Sequence, residues 1–146
     1  FVDRIAPVID LAGFTRITQA TINEVIKMSK LDIHDWFAIK KFDDEQRPYV
    51  SMYLEIKHPD HGHGLDHPEL IKDTLEIYFR YIDQDYKSLR KMLGIDPLQV
   101  SNIPLGTIKK YEDSVNHQVY RVNPNFFDVT EILKLASLTQ GGDDLR

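Results

Sequence analysis

Interleaved strand and helix patterns predict an α+β fold for this chain, with an antiparallel or mixed sheet on which helices pack. Three observations carry that reading. Residues 48–57 alternate apolar and polar at period two, as a half-buried strand does. Farther on, Ile71, Leu75, Tyr78, Ile82, Tyr86, Leu89 and Leu93 recur near period 3.6, the mark of an amphipathic helix. No apolar run approaches the ~20 residues that cross a bilayer, so the apolar content must be buried in a core.

Taken in order, residues 2–5 and 8–11 are strand-like and are interrupted by Pro7 and by Ala12-Gly13. Proline lacks a backbone donor and glycine tolerates positive φ, so these positions mark bends. Thr18 can cap a helix over residues 19–30, with Ile17 and Ile22 placed as a hydrophobic staple and Ile22, Val25, Ile26 and Ser29 on one face. Residues 35–42 form a second strand, residues 43–47 a polar turn, and residues 48–57 the returning strand of a hairpin. In that strand Val50, Met52, Leu54 and Ile56 share one face and Tyr49, Ser51, Tyr53 and Glu55 the other. The tyrosine-bearing face is expected to lie outward and to suit a partner.

A loop over residues 58–67 leads to a long helix that opens with Asp66, Pro68 and Glu69 and ends at Gly94, with a break near Asp83-Gln84-Asp85. Residues 98–105 form a strand closed by Gly106, residues 107–114 a short helix, residues 117–122 a last strand or extended segment, and residues 127–138 a helix starting at Asp128. The first six elements run β, α, β, β, α, β. That is the split-βαβ, or ferredoxin-like, order, here followed by C-terminal helices.

Length and composition bound the function. With 146 residues, 42% hydrophobic and 28% charged, the chain makes one small domain over residues 1–140, followed by a disordered polar tail at 141–146. Cysteine is absent, which removes disulfides, thiolate catalysis and cysteine-bound zinc and fits a cytoplasmic, reducing location. A net charge of -5 argues against nucleic acid as a partner, and no segment suggests a membrane. Because the chain starts at Phe1 without a methionine or a targeting segment, it is expected to be a piece of a longer protein.

Few segments carry chemistry by themselves. His58, Asp60, His61, His63, Asp66 and His67 lie in one loop and offer metal ligands, but their spacing matches no helix-borne pair, so no metal is assigned. His34 beside Asp35 offers an acid–base pair at a strand start, a position where such residues usually serve structure. The turns of serine hydrolases, P-loops and Rossmann folds are absent. Arg4, Arg16 and Arg121 stand out as cations beside bends or in an edge segment, and each reads in isolation as a solvated charge.

The ensemble of short motifs resembles a known family. Val2, Asp3, Arg4, Ile9, Gly13 and Phe14 fit V-D-R-x-x-x-x-I-x-x-x-G-[FY], and Gly13-Phe14-Thr15-Arg16-Ile17-Thr18 is similar to a G-F-R-I-E turn with one added residue, Thr15. Both resemble the domain junction of acyl-adenylate-forming enzymes. Gly106-Thr107, the run from His117 to Pro124 and the helix segment from Tyr86 to Arg90 further resemble the C-terminal domain of the auxin-responsive acyl acid amido synthetases. The resemblance implies the mobile C-terminal domain of an ATP-dependent acyl-acid ligase, which activates a carboxylic acid as acyl-adenylate and passes it to an amine or thiol. It implies Arg121 as the catalytic cation in a place usually held by lysine, and Asp3, Arg4 and Ala6 at the nucleotide and hinge. Gly13 and Arg16 would lie along the acceptor path. It also implies ATP and Mg2+ in the full-length enzyme, a large N-terminal nucleotide-binding domain in the same chain as partner, and no activity or cofactor in the isolated domain. The alternative is a non-catalytic ferredoxin-like module for ligand binding or oligomerisation.

Overall fold

A computed structural model describes residues 8–11, 13, 15–57, 67–94 and 97–144. The expected bend at Pro7, the strand at 2–5, the histidine loop at 58–66 and the positions of Asp3, Arg4 and Ala6 lie outside the described residues. The described fold is α+β. Its elements are β1 (Val8–Leu11), β2 (Thr15–Thr18), α1 (Gln19–Ser29), β3 (Ile33–Phe42), β4 (Pro48–Ile56), α2 (Pro68–Ile82), α3 (Gln84–Leu93), β5 (Leu98–Asn102), α4 (Thr107–Val115) and α5 (Phe126–Asp144).

The strands form two sheets. β1 and β2 pair antiparallel, with Val8 opposite Thr18 and Leu11 opposite Thr15, around Gly13 at φ +69°. β3, β4 and β5 form the second, mixed sheet: β3–β4 is an antiparallel hairpin, and β5 returns parallel to β4 after α2 and α3. The split-βαβ order is thus present in outline, but the opening strand stays in its own hairpin and β5 takes the edge of β4 directly. β2 replaces the turn expected over these residues. Its four residues Thr-Arg-Ile-Thr are β-branched at three places, and they pair because Ile9, Leu11 and Ile17 are all buried on one face of the hairpin.

The central sheet is covered on both sides. Trp36, Ala38, Val50, Met52 and Leu54 pack against β1–β2, α1, α2 and α3, whereas Phe37, Tyr53, Ile103, Ile108, Tyr111, Val129 and Ile132 form a second core with α4 and α5. This corrects the expectation of an outward tyrosine face on β4. Ser51, Tyr53 and Glu55 are buried, and Tyr53 stacks on Phe37 with ring centroids 4.8 Å apart. The alternation along β4 was real, but its polar face is closed within the chain, so it no longer calls for a partner.

Local signals explain the helices. Thr18 accepts from the Thr21 amide and opens α1, and Lys30 in the left-handed region closes it. The cap of α2 is His67, whose Nδ1 accepts from the Glu69 amide, rather than Asp66. Asp83 ends α2 and caps α3 through Oδ1, which accepts from the amides of Asp85 and Tyr86. Its other oxygen accepts from the Thr15 hydroxyl and ties β2 to the helix break. Asn125 caps α5 two residues earlier than expected, and α5 runs on through Asp144, into the stretch expected as a tail.

One cap is supplied from a distance. Gly106, at φ +87°, has no side chain to cap α4, and the buried carboxylate of Glu55 on β4 does so instead. It accepts from the Gly106 amide at 2.7 Å and the Ile108 amide at 2.8 Å. Two amide donors at a helix N-terminus thereby satisfy the buried carboxylate. Glu55→Ala is expected to cost about 3 kcal/mol in urea unfolding, because the buried Ile108 amide and the half-buried Gly106 amide lose their acceptor. Exposed Glu45→Ala serves as the control, at under ~0.5 kcal/mol. A loss below about 1 kcal/mol at Glu55 would show that the cap is not stabilising.

Candidate functional site

Arg121 sits in an extended segment that pairs in parallel with β3 at Ala38. The Ala38 amide donates to the Arg121 carbonyl at 2.8 Å, and the Asn123 amide donates to the Ala38 carbonyl at 2.8 Å. Asn123 extends the pairing with its side chain: Oδ1 accepts from the Lys40 amide at 3.1 Å, and Nδ2 donates to the Val8 carbonyl at 3.0 Å. The segment therefore joins the sheet edge to the open end of the first hairpin.

The guanidinium is held on three sides. Nε and Nη2 donate to the two carboxylate oxygens of Asp35 at 2.9 and 3.0 Å, and Nη1 donates to Glu112 Oε2 at 2.9 Å and to the Val119 carbonyl at 2.6 Å. Glu112 Oε2 also accepts from the Val119 amide at 2.8 Å. A β-bulge between Ile33 and Asp35 leaves His34 exposed and sets Asp35 opposite Glu55, on the face that α4 covers. The two carboxylates at the end of the sheet thus hold α4 twice, Glu55 at its first turn and Asp35 through Arg121 at Glu112. His34 takes no part in this network among the described residues.

The side chains of Arg121, Asp35 and Glu112 retain 20, 21 and 13% exposure, so the cluster lies at the rim of the fold rather than in its core. Desolvation alone would push the Glu112 carboxyl up. The hydrogen bonds from Arg121 and Val119 and the charges of Arg121 and Lys109 outweigh it, so Glu112 titrates below the ordinary carboxylate value. With two carboxylates on one guanidinium, the cluster carries a net charge of about −1 near neutral pH. As arranged, it holds the segment in place and does not attract an anion.

A polar cleft of about 490 Å³ opens beside the cluster, lined by Gln19, Glu112, Gln118, Val119, Tyr120 and Arg121. Gln19 begins α1, so the cleft adjoins the helix capped by Thr18. The other two described site residues lie elsewhere. Gly13 is at the turn end of the first hairpin, away from the Val8 end that meets Asn123, and exposed Arg16 faces Asp10 across the hairpin. Among the described residues, no hydrogen bond or ion pair links Arg121 to Gly13 or Arg16. Asp35 stood out only as the neighbour of His34 and Glu112 not at all, and their pairing with Arg121 had no local signal, because Asp35 is 86 residues away and Glu112 meets the guanidinium only once α4 is docked. Among the described residues, no group of three or more His, Cys, Asp or Glu side chains is placed to hold a metal ion, and no helix is long and apolar enough to cross a membrane.

No family model matches the sequence, and no curated protein matches it in sequence either. One solved structure shares the fold. A GH3.15 acyl acid amido synthetase superposes with a TM-score of 0.61 at 12% identity, over 94% of this chain and 27% of that one. This chain thus spans about a quarter of the length of that synthetase. A domain of phenylacetate-coenzyme A ligase from Bacteroides vulgatus ATCC 8482 superposes with a TM-score of 0.44 at 15% identity, over 80% of this chain and 90% of that one. The resemblance to the amido synthetases is borne out at the level of fold.

The depressed Glu112 carboxyl fixes the sign of a pH effect. A folded-state value below the unfolded one gives stability that is complete above the ordinary value of 4.5 and is lost as pH falls through the folded value. Glu112→Gln is therefore expected to cost stability above that value, and the difference from wild type should shrink as pH falls below it in urea titrations. Parallel curves for the two proteins would rule out the ionised Glu112–Arg121 contact.

Proposed function

We propose that this chain is the mobile small domain of an ATP-dependent acyl-acid ligase. The likeness of fold to part of an acyl acid amido synthetase, over 94% of this chain, carries the reading, and the motifs at both ends of the chain support it. In the proposed reaction a carboxylate oxygen of the acid attacks the α-phosphorus of ATP and the bond to pyrophosphate breaks. An amine or thiol then attacks the acyl carbonyl, and AMP leaves. The larger nucleotide-binding domain of the same polypeptide would hold ATP and Mg2+, and the reaction would run in the cytoplasm, where both are supplied. This chain would supply a cation on an element that can approach and withdraw.

Arg121 is assigned that role, with Asp3, Arg4 and Ala6 at the nucleotide and hinge and Gly13 and Arg16 along the path of the acceptor. Its guanidinium is already committed to Asp35 and Glu112, so approach to a phosphate requires an exchange of partners. One-fifth exposure at the rim of a polar cleft lets that exchange occur without opening either core. Fork geometry makes carboxylate and phosphate interchangeable partners for arginine. The face of β4 that suggested a self-associating module is covered by α4 and α5, which removes the observation behind that rival.

Pyrophosphate exchange in the full-length polypeptide tests the assignment when stability is measured in parallel. Arg121→Ala and Arg121→Lys both lose the forked contact with Asp35 and should both be destabilised. Only Arg121→Ala removes the cation, so it should lower exchange about a hundredfold while Arg121→Lys keeps most of it. Equal exchange in the two variants would remove Arg121 from the chemistry and leave it a purely structural clamp.

A further inference from the structure

The outward face of α2 is unlike that of a solvated helix. Leu70, Ile77 and Tyr81 stand 43, 55 and 72% exposed, while Ile71, Leu75 and Phe79 of the same helix enter the core. With half-buried Thr74 they follow one another at i, i+4, i+7 and i+11, which lines all four along one stripe. Thr74 donates its hydroxyl to the Leu70 carbonyl at 3.0 Å, so it brings a satisfied donor to the stripe. Among the described residues α2 packs on α1, α3 and β5, and the stripe is left uncovered. Single exposed apolar side chains are ordinary; three aligned on one helix mark a contact surface.

The stripe is complementary to itself. Its steps of four, three and four residues read the same in both directions, and they are the steps of a heptad seam between two helices. A second copy of α2 laid antiparallel therefore sets Leu70 against the partner's Tyr81 and Thr74 against the partner's Ile77. Charge follows the same symmetry. Asp73 and Arg80 flank one side of the stripe seven residues apart, and antiparallel pairing brings Asp73 beside the partner's Arg80, twice about the two-fold axis. A parallel pair would keep these charges ~10 Å apart along the axis. Neither forms an ion pair among the described residues, and Arg80 commits only Nε, to the Glu76 carbonyl at 3.2 Å.

We infer that the chain self-associates through α2 as an antiparallel, two-fold dimer. The apolar stripe supplies the attraction, and the paired Asp73 and Arg80 set the direction and register of the two helices. α2 is 15 residues long, about 22 Å, so the contact falls at the low end of interface sizes, below ~1,200 Å², and the dimer is reversible. The inference does not depend on the ligase reading, because the stripe contains no residue of the Arg121 cluster or of the polar cleft.

Sedimentation equilibrium of the 146-residue chain tests it. The wild type should show a monomer–dimer equilibrium with a dissociation constant of roughly 10 to 100 µM. Ile77→Asp, at an exposed position, should leave only monomer while circular dichroism shows the fold intact. Asp73→Arg and Arg80→Asp, which set like charges side by side, should each weaken the dimer about tenfold. The double variant Asp73→Arg/Arg80→Asp should regain the affinity of the wild type, because it restores both pairs with their signs exchanged. A chain that stays monomeric at ~1 mM, a dimer indifferent to Ile77→Asp, or a double variant no tighter than the single ones would each overturn the proposal. A full-length polypeptide that remains monomeric where this chain dimerises would assign the stripe to another part of the same polypeptide and would overturn it as well.

Discussion

One guanidinium with two carboxylates decides how the last third of this chain sits on the rest. The segment that carries Arg121 makes only a single β-bridge with β3, too little backbone pairing to fix it against solvent. Side chains supply what the backbone lacks. Asp35 reaches Arg121 from β3 and Glu112 reaches it from α4, while Asn123 of the same segment reaches Val8 of β1, so three elements meet at this one segment. An exposed ion pair would contribute at most about 1 kcal/mol, but this cluster is four-fifths covered and forked, and loss of its cation would leave two carboxylates facing each other.

The same sheet end shows how function and stability share residues. Asp35 and Glu55 are direct neighbours across the hairpin, an arrangement of like charges that is unfavourable unless each is compensated. Glu55 is compensated by two amides of α4 and Asp35 by Arg121. α4 is thereby held at both its start and its middle, and Tyr111 on the same helix closes the contact with α5 through a 2.5 Å hydrogen bond to Asp128. Burial, followed by that hydrogen bond and charge, pushes the Tyr111 phenol up to about 12, so it stays a donor at any physiological pH. If Arg121 exchanges its partners for a phosphate, α4 and α5 remain anchored by Glu55 and Asp128, and the core need not rearrange.

Much of the fold was legible because the signals are local. The Thr18 cap, the break at Asp83, the turn at 43–47 and the helix end at Gly94 each follow from one or two residues with a defined backbone role. β2 was missed because four residues next to a glycine turn look like part of it, and only burial of Ile17 against Ile9 and Leu11 shows otherwise. Covering of the second face of β4 was missed for a different reason: strand alternation tells which residues share a face, and never what will lie on it. Arg121 was visible as a cation and its setting was not, since contacts across 86 residues leave no periodic trace.

Amide hydrogen exchange on Arg121→Met tests the clamp most directly. Asn123 and Ala38, whose amides bond across the bridge, should lose protection in the variant, while Ile103, bonded to Leu54 at 2.8 Å within the central sheet, should keep it. Unchanged protection at Asn123 would mean that the segment is held without the guanidinium and would contradict the account.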